Sequence, residues 1–169
     1  MEDPWILAAL DDLRDGTTRV LDLRPTPAFF GGHIPGALHL PPSVEELDPW
    51  RASGLPDAAS VRTELERVQG EAGRWVVIHP LVPPGPGILA AWCRAGHALA
   101  TIGEATRAEV EDLAAVDGAR KVDAAAPPDF DTLGHLSKVV VEGATLPVRA
   151  LVASLLKARG IPEVLVLVD

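Results

Sequence analysis

The chain has 169 residues, 47% of them apolar, and carries 24 acidic against 15 basic side chains for a net charge of -9. That length builds one sizeable domain or two small ones, and no apolar run approaches the ~18 residues needed to span a bilayer. The acidic balance argues against nucleic acid or an anionic membrane surface as a partner, since phosphate binding needs a basic face.

The start, Met1-Glu2-Asp3-Pro4-Trp5, is acidic and does not read as a signal peptide, so a cytoplasmic protein is expected. The single cysteine, Cys93, excludes an internal disulfide. No Cys/His cluster has zinc spacing, and neither a metal nor a cofactor is expected.

In chain order, residues 6–13 set Ile6, Leu7, Leu10 and Leu13 at helical spacing, and Asp15-Gly16 stops that helix. Residues 20–23 and 37–40 read as strands, and Pro41-Pro42 and Ser53-Gly54-Leu55-Pro56 as loops. Residues 60–69 are predicted helical, closed by Gly70. Residues 75–78, Trp-Val-Val-Ile, form the continuous apolar run of a strand buried on both faces. A Pro/Gly-rich loop covers 79–87, a helix 88–94 ends at Gly96, and a strand is expected over 99–102.

The second part repeats this grammar. A helix over 104–116 stops at Asp117-Gly118, a short strand covers 121–123, and the chain turns at 125–128. A buried strand follows over 139–141, then a loop over 142–147. Residues 148–159 carry the clearest helical period, with Val148, Leu151, Val152, Leu155 and Leu156 on one face and Gly160 at the end. The last strand is expected over 164–168. Strands alternating with helices imply an α/β fold, a parallel central sheet with helices on both faces.

The two parts can be aligned. Asp15-Gly16 matches Asp117-Gly118, Asp22 matches Asp123, and Gly32-His33 matches Gly134-His135. This divides the chain into residues 1–103 and a second unit, 104–169, that is shortened and packed against the first. About forty residues separate His33 from the strand at Trp75, but only three separate His135 from Val139. The second copy has lost a strand and a helix.

Residues 20–41, VLDLRPTPAFFGGHIPGALHLP, carry Asp22-x-Arg24 and then Gly32-His33-Ile34-Pro35-Gly36-Ala37 before Leu38-His39-Leu40. This pattern resembles the N-terminal signature of the rhodanese family, which implies a rhodanese-like fold and makes the chain a degenerate tandem of it. Asp22, Arg24, Gly32, His33 and Gly36 match the family's scaffold motif. An Asp–Arg pair there ties a strand end to a loop, the glycines and Pro35 fix a tight turn, and His33 bonds its backbone surroundings. Ala28 departs from the pattern, standing where the family usually has Glu.

The resemblance also implies where chemistry would sit. Active members place a nucleophilic cysteine just after the central buried strand, in a loop whose amides and helix N-terminus favour a thiolate and a bound anion. Here those positions fall on Pro80 and Gly143, so no catalytic residue is expected. Pro83, Pro84 and Pro86 remove further amide donors from the first loop. Five residues separate Gly143 from Arg149, a spacing similar to the Cys-x5-Arg loop of cell-cycle phosphatases that share the rhodanese fold. Gly143, Ala144, Thr145 and Arg149 therefore form a candidate anion-binding loop that enters its helix at Pro147, with Glu142 opposing an anion.

Cys93 reads as a buried, inert helix cysteine. His79 and His97 have no Ser or Cys beside them and read as structural. Trp5, Trp50, Trp75 and Trp92 read as packing residues, and Glu45, Glu46 and Asp48 as a solvated face. The expected function is a rhodanese-like protein without sulfurtransferase activity, a binding or regulatory module for another protein or a small oxyanion. The alternative is an enzyme: a sulfurtransferase forming its persulfide on Cys93, or a phosphatase-like oxyanion-binding enzyme.

Overall fold

The computed structural model describes residues 4–14, 18–39, 59–71, 74–79, 87–109, 111, 119–144 and 146–168. The N-terminal part runs α1 (Pro4–Arg14), β1 (Thr18–Asp22), α2 (Thr26–Gly31), β2 (Leu38–His39), α3 (Ala59–Glu71), β3 (Arg74–Ile78) and α4 (Gly87–Arg94). Its strands form a parallel sheet in the order β2-β1-β3, with Leu21 in register with Leu38 and Val20 with Val76. Parallel neighbours need crossovers rather than hairpins, and α2 and α3 lie in those two connections. Helix α1 buries Ala9 and Leu10 and packs on β1, β3 and α4.

The C-terminal part runs β4 (Gly103–Ala105), β5 (Arg120–Asp123), α5 (Phe130–Leu133), β6 (Lys138–Glu142), α6 (Leu146–Ala158) and β7 (Glu163–Leu167). Its sheet has the order β4-β7-β6-β5, every pair parallel. Val139, Val140 and Val141 of β6 are all buried, as a strand covered on both faces requires. Between β5 and β6 there is only the short helix α5 and no strand, whereas β1 and β3 are separated by α2, β2 and α3. The fold is thus α/β, with two parallel sheets flanked by helices instead of one central sheet.

Three sequence expectations are corrected. Strand β3 is not buried on both faces: Val76 and Ile78 are buried but Val77 is 40% exposed. Residues 99–102 form no strand: Ala100 makes one isolated antiparallel bridge to His33, and the strand begins at Gly103. The helix expected from 104 also starts later, because Gly103–Ala105 pairs with β7. Thr106 and Glu109 then exchange reciprocal bonds: the Thr106 amide donates to Glu109 Oε2 (3.1 Å) and the Glu109 amide to Thr106 Oγ1 (3.3 Å). This is a capping box, and it sets the helix start after Thr106.

Helix α6 joins the halves. Val148 and every residue from Ala150 to Leu156 are buried. A helix apolar on all sides belongs inside a core, and α6 contacts β6 and β7 of one sheet and β2 of the other. Its end is a Schellman motif: Gly160, at φ +95°, donates to the Lys157 carbonyl, and Ile161 to that of Leu156. One apolar cluster runs through both sheets, from Val20, Leu38 and Ile78 to Val141, Leu151 and Val166. Polar links cross the same junction. The His39 amide donates to Ser154 Oγ (3.1 Å), Ser60 Oγ donates to the Pro127 carbonyl (2.7 Å), and Arg159 Nε donates to the buried Glu64 carboxylate (2.7 Å). Among the described residues no helix is long and apolar enough to cross a membrane.

Candidate functional site

Asp22 ends β1 and is fully buried. A buried carboxylate needs a partner, and Arg24 supplies one. Arg24 Nε lies 3.0 Å from Oδ1 and an Nη lies 2.8 Å from Oδ2, while the Arg24 amide also donates to Oδ1 (3.0 Å). The same guanidinium donates to the Gly32 carbonyl at 2.7 Å. The pair therefore ties the strand end to the segment that enters the Gly32–Ala37 turn. In that turn Pro35 and Gly36 are the central residues, Gly36 has φ +85°, and the Ala37 amide donates to the Ile34 carbonyl (3.0 Å). A left-handed residue after proline is the type II arrangement, and it selects glycine.

His33 is 1% exposed, and His39, from β2, is fully buried. Their rings stack on Phe29, with centroids 4.0 Å and 4.4 Å away and interplanar angles of 10° and 15°. His33 Nδ1 donates to the Phe29 carbonyl (3.0 Å), and His39 Nδ1 to the Asp22 carbonyl (3.1 Å). A carbonyl can only accept, so both rings carry their proton on Nδ1. His39 Nε2 is left to accept from the Thr26 hydroxyl at 3.2 Å. Burial lowers both imidazoles from the ordinary value of 6.5, His39 to about 4, outweighing the carbonyl bonds that oppose the shift. Sequence reasoning singled out His33 but missed His39, whose amide partner Ser154 lies 115 residues away.

Of the two positions after the central strands, Pro80 and the loop residues 81–86 lie outside the described residues; so do Thr145 and the Glu45, Glu46, Asp48 cluster. Gly143 is described, at the end of β6, with φ +79°, and Ala144 follows at φ +52°. A Cβ at position 143 would lie 2.2 Å from Asp123 Oδ1. Asp123, in register with Glu142 on the neighbouring strand, holds its carboxylate there by accepting from the Ala125 amide (2.9 Å). A side chain at position 143 would therefore have to displace the Asp123 carboxylate. Gly143→Ala is expected to lower stability by about 1–3 kcal/mol, from the left-handed backbone and the displaced carboxylate. A denaturation midpoint equal to wild type would show that Asp123 does not occupy that space. Arg149, one turn into α6, has a buried Nε that finds no hydrogen-bond partner among the described residues.

Cys93 is corrected from buried to exposed. Helix α4 buries Ile88, Leu89 and Ala91, and the residue five positions after Ile88 falls on the outer side of a 3.6-residue turn. The His97 ring lies tilted by 32° against Trp92 (centroids 4.3 Å apart), whose Nε1 donates to the Ala98 carbonyl. Trp75 and Trp92 pack, partly buried, against the core.

The N-terminal architecture and its Asp22–Ala37 motif are those of a rhodanese-like α/β domain. Residues 7–79 match the family model of the rhodanese-like domain, so the chain carries that family's domain from α1 to the end of β3. No curated protein matches the chain.

Proposed function

We propose that this protein is a binding or regulatory module built on a rhodanese-like scaffold, without sulfurtransferase activity. The observation that supports the reading is at the end of β6, where any side chain at position 143 would meet the Asp123 carboxylate. A carboxylate there repels the anionic sulfur donor that a rhodanese handles. The sequence adds Pro80 at the corresponding point of the first half. The partner of such a module is another protein, met in the cytoplasm, where an exposed thiol such as Cys93 stays reduced.

Thiosulfate:cyanide sulfur transfer tests this reading. Wild type and Cys93→Ser are both expected to show only the uncatalysed rate. Turnover by wild type that Cys93→Ser abolishes would establish a persulfide enzyme working from the exposed face of α4. Turnover that survives the substitution would place the chemistry elsewhere. Either result overturns the non-catalytic reading.

One observation favours a second reading, a small oxyanion held by Gly143, Ala144, Thr145 and Arg149: the Arg149 Nε beside the N-terminal turn of α6, which has no partner among the described residues. Asp123 and Glu142 oppose it. Titration with inorganic phosphate separates the two, since binding that Arg149→Met abolishes supports the oxyanion reading alone.

A further inference from the structure

We propose that His39 is a proton-sensitive latch that holds β2 between β1 and α6, so that acidification uncouples the two halves of the molecule at this strand. The argument rests on where His39 sits. Among the described residues, strand β2 pairs with β1 through Leu38 and His39 and is the edge of its sheet. Both ring nitrogens and the amide of His39 are engaged. Its amide donates to Ser154 Oγ of α6, Nδ1 donates to the Asp22 carbonyl of β1, and Nε2 accepts from Thr26 of α2. Ser154 is itself fixed, donating from its hydroxyl to the Leu151 carbonyl (2.7 Å). One residue therefore fastens β1, α2 and α6 together.

That arrangement has no place for an imidazolium. A proton on Nε2 turns it from acceptor to donor and removes the bond from Thr26. The surrounding charges do not compensate. The Asp22 carboxylate is already held by Arg24. From the far face of Phe29 comes His33, a second neutral imidazole, and from α6 comes Lys157, whose charge opposes protonation of His33. Once β2 lifts away, His39 meets water and takes a proton at its ordinary value. Protons thus bind the opened form and are excluded from the closed one. The sign follows: closure holds above about pH 6.5 and weakens as the pH falls toward the closed-state value near 4. Between pH 7.5 and 5.0 the opened population is expected to rise about 30-fold.

Amide-resolved hydrogen exchange on the intact protein, as a function of denaturant at pH 7.5 and 5.0, tests the latch. After correction for intrinsic rates, the His39 amide is expected to lose about 30-fold in protection at pH 5.0. It should do so through an opening that depends little on denaturant, while the amide of Val140 in β6 keeps the steep dependence of global unfolding. If the His39 amide instead follows the global isotherm at both pH values, or keeps its protection at pH 5.0, the proposal fails. His39→Asn should remove the pH dependence. Should that variant not fold, the wild-type His39 ring can be titrated by its Cε1 proton. A midpoint near 4 supports the latch, and one near 6.5 overturns it.

Discussion

Asp22→Ala is expected to cost about 3–5 kcal/mol of stability, because it breaks a buried pair from one side only. The carboxylate is fully buried and the Arg24 side chain is 11% exposed, so neither charge has much access to water. In the variant the guanidinium keeps its bond to the Gly32 carbonyl but loses the fork that neutralises it. The Arg24 amide loses its acceptor as well. Urea denaturation reads the loss as a lower midpoint. A double variant, Asp22→Ala with Arg24→Met, should recover part of it, since an apolar pair leaves no uncompensated charge. If the single variant loses less than about 1 kcal/mol, the pair behaves like a surface ion pair and the account of the strand end is wrong.

Leu151→Ala, in the middle of α6, is expected to cost about 2–5 kcal/mol and to be felt in both halves. Leu151 is 1% exposed and its carbonyl accepts from Ser154, the residue that meets β2. The four tryptophans, at 5, 50, 75 and 92, all precede residue 104, so fluorescence reports the N-terminal part alone. Backbone circular dichroism reports the whole chain. With one core running through both sheets, the two signals should fall together in wild type and shift together in the variant. A tryptophan transition that stays in place while the helical signal shifts would show two independently folding units.

What the sequence revealed about this fold follows the range of the interactions involved. The Asp22–Arg24 pair and the Pro35-Gly36 turn were legible because their partners lie within ten residues. Helix α6 was legible because its period and its terminal glycine are local. The division into two sheets was not, since it depends on β7 pairing with β4 on one side and β6 on the other. Leu99 to Ile102 has strand composition, yet only Ala100 finds a strand-like partner. The capping box at Thr106 and Glu109 was readable from spacing alone and would have placed that helix start correctly. Within the candidate site, Gly143 was picked out by its distance from Arg149. The carboxylate filling its place comes from Asp123, twenty residues earlier, and only the strand register brings the two together.

The position of α6 also sets an order of events at the ribosome. The helix that covers β2 is encoded roughly a hundred residues after it, so at 5–20 residues per second the first sheet waits on the order of 5–20 s for its cover. During that interval Leu38 and its apolar neighbours lack the cover that α6 supplies. The nascent chain is then a natural client for chaperones, and translation stalled before residue 146 leaves a product unable to close its core.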